Sequence, residues 1–90
     1  MGLTSDSWSL SAGSDVVEVR ARLVVLGVEY TLLVNNRRCD QITKRGLRLG
    51  SITLRGSMPD GVPIRVFVHA LTGTPVLSVE GREFQMRHEY

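Results

Sequence analysis

Cysteine, histidine and lysine are scarce in this sequence of 90 residues. Cys39 is the only cysteine, so an intramolecular disulfide is impossible and a disulfide-stapled secreted fold is excluded. One cysteine and two histidines are too few to build a closed structural zinc site from these residue types alone. A single cysteine suits a reducing compartment. We therefore predict a cytoplasmic protein that uses no metal and no cofactor.

Long hydrophobic runs are also lacking. The longest apolar stretch extends from Leu23 to Val28 and includes Gly27, whereas a membrane-spanning helix needs about 20 apolar residues. The N-terminal residues show no basic region followed by an apolar one, the pattern of a secretory signal. These absences predict a soluble chain with no membrane partner.

Motifs that carry catalysis are missing as well. No serine lies in a nucleophile elbow, the four aspartates lack the spacing of a calcium loop, and no glycine-rich loop precedes a predicted helix. His69 and His88 lie in predicted strands without a neighbouring catalytic pattern. We predict that the protein is not an enzyme, and a catalytic role for His69 or His88 is kept as the third hypothesis.

What the sequence does contain is an alternation of apolar and polar residues. Odd-numbered positions from Val17 to Val25 are apolar, whereas the even positions 18, 20 and 22 are charged, which is typical of a half-buried strand. The pattern recurs at 28–35, 64–70 and 84–90, and Pro59, Asp60 and Gly61 form a strong turn signal. The prediction is a mainly β fold, a small antiparallel barrel or sandwich of five to six strands.

Two segments are less regular. Residues 1–14 are serine-rich and are predicted to be either a flexible tail or a segment that docks through Trp8, whereas residues 15–90 form a single β-rich domain. Residues 37–45 are predicted to form at most one short helix, with Asn36 as its N-cap, or else an irregular loop.

Charge is unevenly distributed along this arginine-rich chain, in which Lys44 is the only lysine. Between Arg37 and Arg55, six basic residues accompany a single acidic one, a net charge of +5. The rest of the chain holds five basic and eight acidic residues, a net charge of −3. Arginine offers a planar fork of donors that fits phosphate and carboxylate groups, so the segment is a candidate contact surface.

These features predict a small binding module. The first hypothesis is contact with nucleic acid or a nucleoprotein through residues 35–55. The alternative is a protein-interaction module, an inhibitor or adaptor, that binds an acidic protein surface or self-associates as a homodimer through an edge strand. A merely solvated loop stays open as an interpretation of the segment. The predicted contact residues are Asn35, Asn36, Arg37, Arg38, Lys44, Arg45, Arg48 and Arg55.

Overall fold

The computed structural model describes residues 5–45, 51–69 and 74–89, which form nine β-strands. Five of them, β1 (Ser5–Ala12), β2 (Asp15–Val24), β3 (Gly27–Val34), β4 (Arg37–Arg45) and β9 (Arg87–Glu89), build sheet A in the order β4-β3-β2-β1-β9. The other four, β5 (Ser51–Ser57), β6 (Pro63–His69), β7 (Val76–Val79) and β8 (Arg82–Gln85), build sheet B in sequence order. Neighbouring strands in both sheets are antiparallel, which confirms the predicted mainly β fold. The described residues contain no helix, and therefore none that could cross a membrane.

The inward faces of the two sheets form one hydrophobic core. In sheet A the alternating valines of β2 pair with alternating aliphatic residues of β3, and sheet B contributes the inward residues of β5, β6 and β7. Burying one such aliphatic side chain contributes about 1.5–3 kcal/mol. The polar residues between them face solvent. The buried core set is Val17, Val19, Leu32, Val34, Leu54, Ile64, Val66, Val68, Leu77 and Met86.

The turn between β3 and β4 explains why the predicted helix at 37–45 is wrong. Asn35 and Asn36 have φ angles of 51° and 67°. Two consecutive positive φ angles are typical of a two-residue hairpin turn whose twist matches that of the flanking strands. Asn36 is thus a turn residue and not an N-cap. The residues that follow return as strand β4 along β3, so the irregular loop given as the alternative is wrong too.

A β-bulge hides the strand pattern of β4. Leu32 pairs with Asp40 but the next residue, Leu33, pairs with Arg38, so Cys39 is an extra residue in β4. The bulge shifts the phase of the alternation, and Ile42, which packs against the core, is the one aliphatic residue of β4. Without a run of alternating apolar residues, β4 could not be predicted from periodicity.

The serine-rich segment supplies strand β1 over residues 5–12. It pairs with β2 along all of its eight residues and with β9 at positions 7–9. The Trp8 ring packs against the core and lies 5.4 Å from the His88 ring, centroid to centroid. His88 Nε2 is also 3.0 Å from Asp6 Oδ1, and Ser9 Oγ donates to Glu89 Oε1 at 2.8 Å. Residues 5–12 therefore belong to the folded domain.

Nine strands exceed the five to six that were predicted, and the last strand accounts for part of the difference. The chain passes from β8 in sheet B to β9 in sheet A at Met86, whose side chain is buried. The Met86 N–H donates to the Pro75 carbonyl at 3.0 Å. One predicted strand is thus two short ones that pair with different sheets.

The sheets approach each other again where β4 lies beside β5. The Arg55 N–H donates to Asp40 Oδ2 at 2.9 Å and so joins the two sheets. A Cβ atom on Gly56 would lie 2.9 Å from the Cys39 Cβ, closer than carbon atoms can pack without a shift. The absence of a side chain at Gly56 allows this approach, which brings β5 next to the basic strand β4.

The turn between β5 and β6 is confirmed where the sequence predicts it. Gly61 has a φ of 93° and its N–H donates to the Met58 carbonyl at 2.8 Å. Asp60 Oδ1 accepts from the Val62 N–H at 3.1 Å. This turn sets the register of the β5–β6 pair.

Candidate nucleic-acid interface

The predicted contact residues are spread over two ends of β4 and one position in β5. Arg37 and Arg38 begin β4, whereas Lys44 and Arg45 end it, about 20 Å farther along the strand. Arg55 lies in β5 of the other sheet, and position 48 lies outside the described residues. The members of the predicted set whose side chains the structure describes therefore do not share one face.

Asn35 is used by the fold itself. Its Oδ1 accepts from the Val16 N–H at 2.8 Å, and its Nδ2 donates to Asp15 Oδ1 at 3.0 Å. Its backbone N–H donates to the Val16 carbonyl at 2.9 Å. These bonds tie the β3–β4 turn to the start of β2, so the side chain has a structural role. Asn36 is exposed beside it.

Arg37 and Arg38 are both exposed but lie on different surfaces. Arg38 is opposite Leu33 on the outward face of sheet A, whereas Arg37 is opposite the buried Val34. Arg37 lines a cleft of about 350 Å³ between the start of β4 and the end of β5, together with Cys39. The two arginines thus lie on either side of the corner where sheet A meets sheet B.

Asp40, the single acidic residue between Arg37 and Arg55, accepts hydrogen bonds from main-chain N–H groups. Asp40 Oδ1 accepts from the Gln41 N–H at 2.8 Å, and its Oδ2 accepts from the Arg55 N–H at 2.9 Å. Both oxygens are therefore engaged by main-chain donors. No ion pair joins Asp40 to a basic side chain among the described residues.

Two arginines of β2, in the centre of sheet A, have carboxylate partners. Arg20 Nε lies 3.0 Å from Glu18 Oε2, and an Arg22 guanidinium nitrogen lies 3.0 Å from Glu29 Oε1. Hydrogen bonding and the charge of Glu18 raise the pKa of Arg20. The central strands of this outward face are therefore close to neutral.

The outward face of sheet B is different. Arg55 and Arg65 are directly opposite each other in the β5–β6 pair, and both are exposed. Neither has an ion-pair partner among the described residues. Glu83, the one carboxylate at an outward position of sheet B in the described ranges, is separated from Arg65 by strand β7. Like charges directly opposite destabilise an antiparallel pair by up to about 1 kcal/mol, so the fold retains an unfavourable pair here.

An aromatic ring lies beside these two arginines. Phe67 is two residues from Arg65 on the same face of β6, opposite Thr53 on β5 and Val76 on β7. Its side chain is half-buried, and His69 follows it on the same face in an exposed position. We call the outward side chains of Thr53, Arg55, Arg65, Phe67 and His69 the basic face.

Arg65 and Phe67 are missing from the predicted contact residues. The signal that identifies them is the turn centred on Asp60, because a tight hairpin pairs residues equidistant from its centre. Positions 55 and 65 are each five residues from Asp60, and 53 and 67 are each seven away. The charge of residues 37–55, considered alone, does not show which residues are neighbours across strands.

A second surface feature is a cleft of about 710 Å³ between the β1–β2 hairpin and the β7–β8 hairpin. The buried Val17 and Leu77 line it, and so does Phe84, whose side chain is 42% exposed. The β1–β9 pairing stops at Ser9, and β8 pairs with β7 alone within the described residues. Two strand edges therefore flank this apolar cleft without a strand between them.

The pair formed by His88 and Asp6 lies in neither of these clefts. Across residues 5–45, 51–69 and 74–89, no group of three histidine, cysteine, aspartate or glutamate side chains is placed to hold a metal ion. We still predict, from the sequence, that the chain is not an enzyme and uses no cofactor.

In comparisons with known proteins, the chain matches no family model, no curated protein and no solved structure.

Proposed function

We propose that this protein binds nucleic acid, alone or within a nucleoprotein, through arginines of β4, β5 and β6. The observation that carries the proposal is the exposed Arg55–Arg65 pair, which lacks a carboxylate partner in the described ranges. A phosphate between two guanidinium groups would offset their repulsion and accept their parallel hydrogen bonds. An anionic ligand would thus neutralise the repulsion between Arg55 and Arg65, which no described carboxylate does.

The arginines at the start of β4 lie on sheet A, near the corner where it meets sheet B, and not on the face that carries Arg55 and Arg65. The hydrogen bond from the Arg55 N–H to Asp40 holds β5 against β4, two residues from Arg38. Because both oxygens of Asp40 are occupied by main-chain donors, Asp40 competes little with a phosphate for the neighbouring side chains. Lys44 and Arg45 lie about 20 Å from Arg37 along β4, where only a longer ligand reaches them.

We also propose a reducing, cytoplasmic setting, because the chain has a single cysteine.

Titration of fluorescently labelled DNA and RNA tests this function by anisotropy. If four phosphates are neutralised, affinity for a single strand should fall about 50-fold between about 50 mM and about 200 mM salt. This steep dependence reflects the release of counterions from the nucleic acid. A protein that binds neither nucleic acid at the lower salt concentration would contradict the proposal.

The apolar cleft beside β1 and β8 favours a second candidate function, a protein-interaction module. An added strand would pair with one of the flanking edges and place apolar side chains over Val17 and Leu77.

If the protein self-associates through this cleft, its sedimentation coefficient should rise with protein concentration. The Phe84→Ser variant should not show that rise, because it places a polar side chain in the cleft. An acidic partner at the basic face belongs to the same alternative. A sedimentation coefficient that is independent of concentration would contradict the homodimer.

A further inference from the structure

We infer that the basic face takes single-stranded nucleic acid, with one base stacked on Phe67. This inference rests on the proposed function and adds the class of nucleic acid and the residue that selects it. The starting point is that Phe67 is an outward-facing aromatic residue between two aliphatic or hydroxyl-bearing cross-strand neighbours, Thr53 and Val76. Half-burial holds the ring in place while part of it stays accessible.

The spacing of the basic face matches a ligand that combines a charge with a flat apolar ring. Phe67 and Arg65 are next neighbours on one face of β6, about 7 Å apart along the strand. Arg55 is diagonal to Phe67 across the β5–β6 pair, a distance that long side chains bridge. One nucleotide offers both groups that this arrangement recognises, a phosphate for the arginines and a base for the ring.

The shape of the surface argues against a duplex. Protein elements that read base edges in the major groove of a duplex enter it as a helix or as a two-stranded ribbon. The basic face lies on two strands within a four-stranded sheet, with β7 continuing beside β6. Bases inside a duplex are stacked on each other, so only an unpaired base presents its ring to an aromatic side chain.

The two phenylalanines of the chain provide a matched pair of variants. Phe84 has the same chemistry, but it lines the apolar cleft rather than the basic face. Phe67→Leu keeps an apolar side chain at position 67 and removes the aromatic ring. Phe84→Leu makes the same change away from the arginines.

The experiment measures the affinity of each variant for a labelled single-stranded DNA, a single-stranded RNA and a DNA duplex of equal length, at one low salt concentration. We expect Phe67→Leu to lose about fivefold or more in affinity for a single strand of either type. Its affinity for the duplex should stay that of the natural sequence. Phe84→Leu should bind all three ligands unchanged, and Phe67→Tyr should restore single-strand binding.

The outcomes separate the inference from the function on which it rests. Failure of the natural sequence to bind any of the three ligands would overturn both. Binding that Phe67→Leu leaves unchanged, or weakens equally for the duplex and the single strands, would overturn the stacking inference alone. Circular dichroism melting of each variant shows whether a loss of affinity comes instead from unfolding, and Phe67→Tyr then decides the matter because it keeps the size and planarity of the ring.

Discussion

Replacing Arg55 and Arg65 together with glutamine is expected to weaken nucleic-acid binding about a hundredfold. Each replacement removes a charged hydrogen bond worth about 1.5 kcal/mol, and about 1.4 kcal/mol corresponds to a factor of ten in affinity. Stability should not fall, because the double variant relieves the repulsion between two directly opposite like charges. A gain of about 0.5 kcal/mol in the free energy of unfolding is expected. Anisotropy titration and urea denaturation measure the two effects.

The matched control is Arg20→Gln combined with Arg22→Gln. It lowers the net charge by the same amount, but these arginines already have the carboxylates of Glu18 and Glu29 as partners. Exposed ion pairs contribute little to stability, so this variant should fold normally and lose less than about threefold in affinity. Equal losses in the two double variants would show that overall charge, rather than the basic face, drives binding.

Truncation of Trp8 to alanine is expected to lower the free energy of unfolding by about 3 kcal/mol. The ring packs against the core from β1 and contacts the His88 ring of β9, so its loss loosens the link between the first and last strands. A domain of this size is stable by only about 5–13 kcal/mol. The change therefore removes a large share of the total.

Ser9→Ala is the control for Trp8, since Ser9 is the next residue of β1 and faces outward. It removes only an exposed hydrogen bond to Glu89 and should cost less than about 1 kcal/mol. Because Trp8 is the only tryptophan, unfolding must be followed by circular dichroism rather than by tryptophan fluorescence. If Trp8→Ala proves no more destabilising than Ser9→Ala, then β1 contributes little to the core.

The strands that could be predicted are those with a solvated face opposite the core. In β2 the charged residues Glu18, Arg20 and Arg22 alternate with apolar residues, of which Val17 and Val19 are buried, and this pattern identifies both the strand and its orientation. Strand β4 could not be predicted because the bulge at Cys39 breaks its phase and because Ile42, which packs against the core, is its one aliphatic residue. In such a strand the pairing with β3, and not local periodicity, decides the structure.

The candidate site was partly predictable for a related reason. The uneven distribution of charge predicted Arg37, Arg38 and Arg55 as contact residues, but charge along the chain does not report which residues are neighbours across strands. Arg65 and Phe67 become visible only through the register of the β5–β6 turn. Asn35 was predicted to contact a ligand because an amide side chain can hydrogen-bond to nucleic acid. Its bonds to Asp15 and to the Val16 N–H join residues that are far apart in the sequence, so its structural role could not be seen from the sequence alone.

The salt dependence of binding tests the central claim most directly, because the slope of log affinity against log salt counts the phosphates that the protein neutralises. The measurement compares the natural sequence with the Arg55→Gln/Arg65→Gln variant on the same single strand. If the two arginines contact phosphates, the magnitude of the slope should fall by about 1.4, which is about 0.7 for each lost contact. An identical slope in the two proteins would contradict the account.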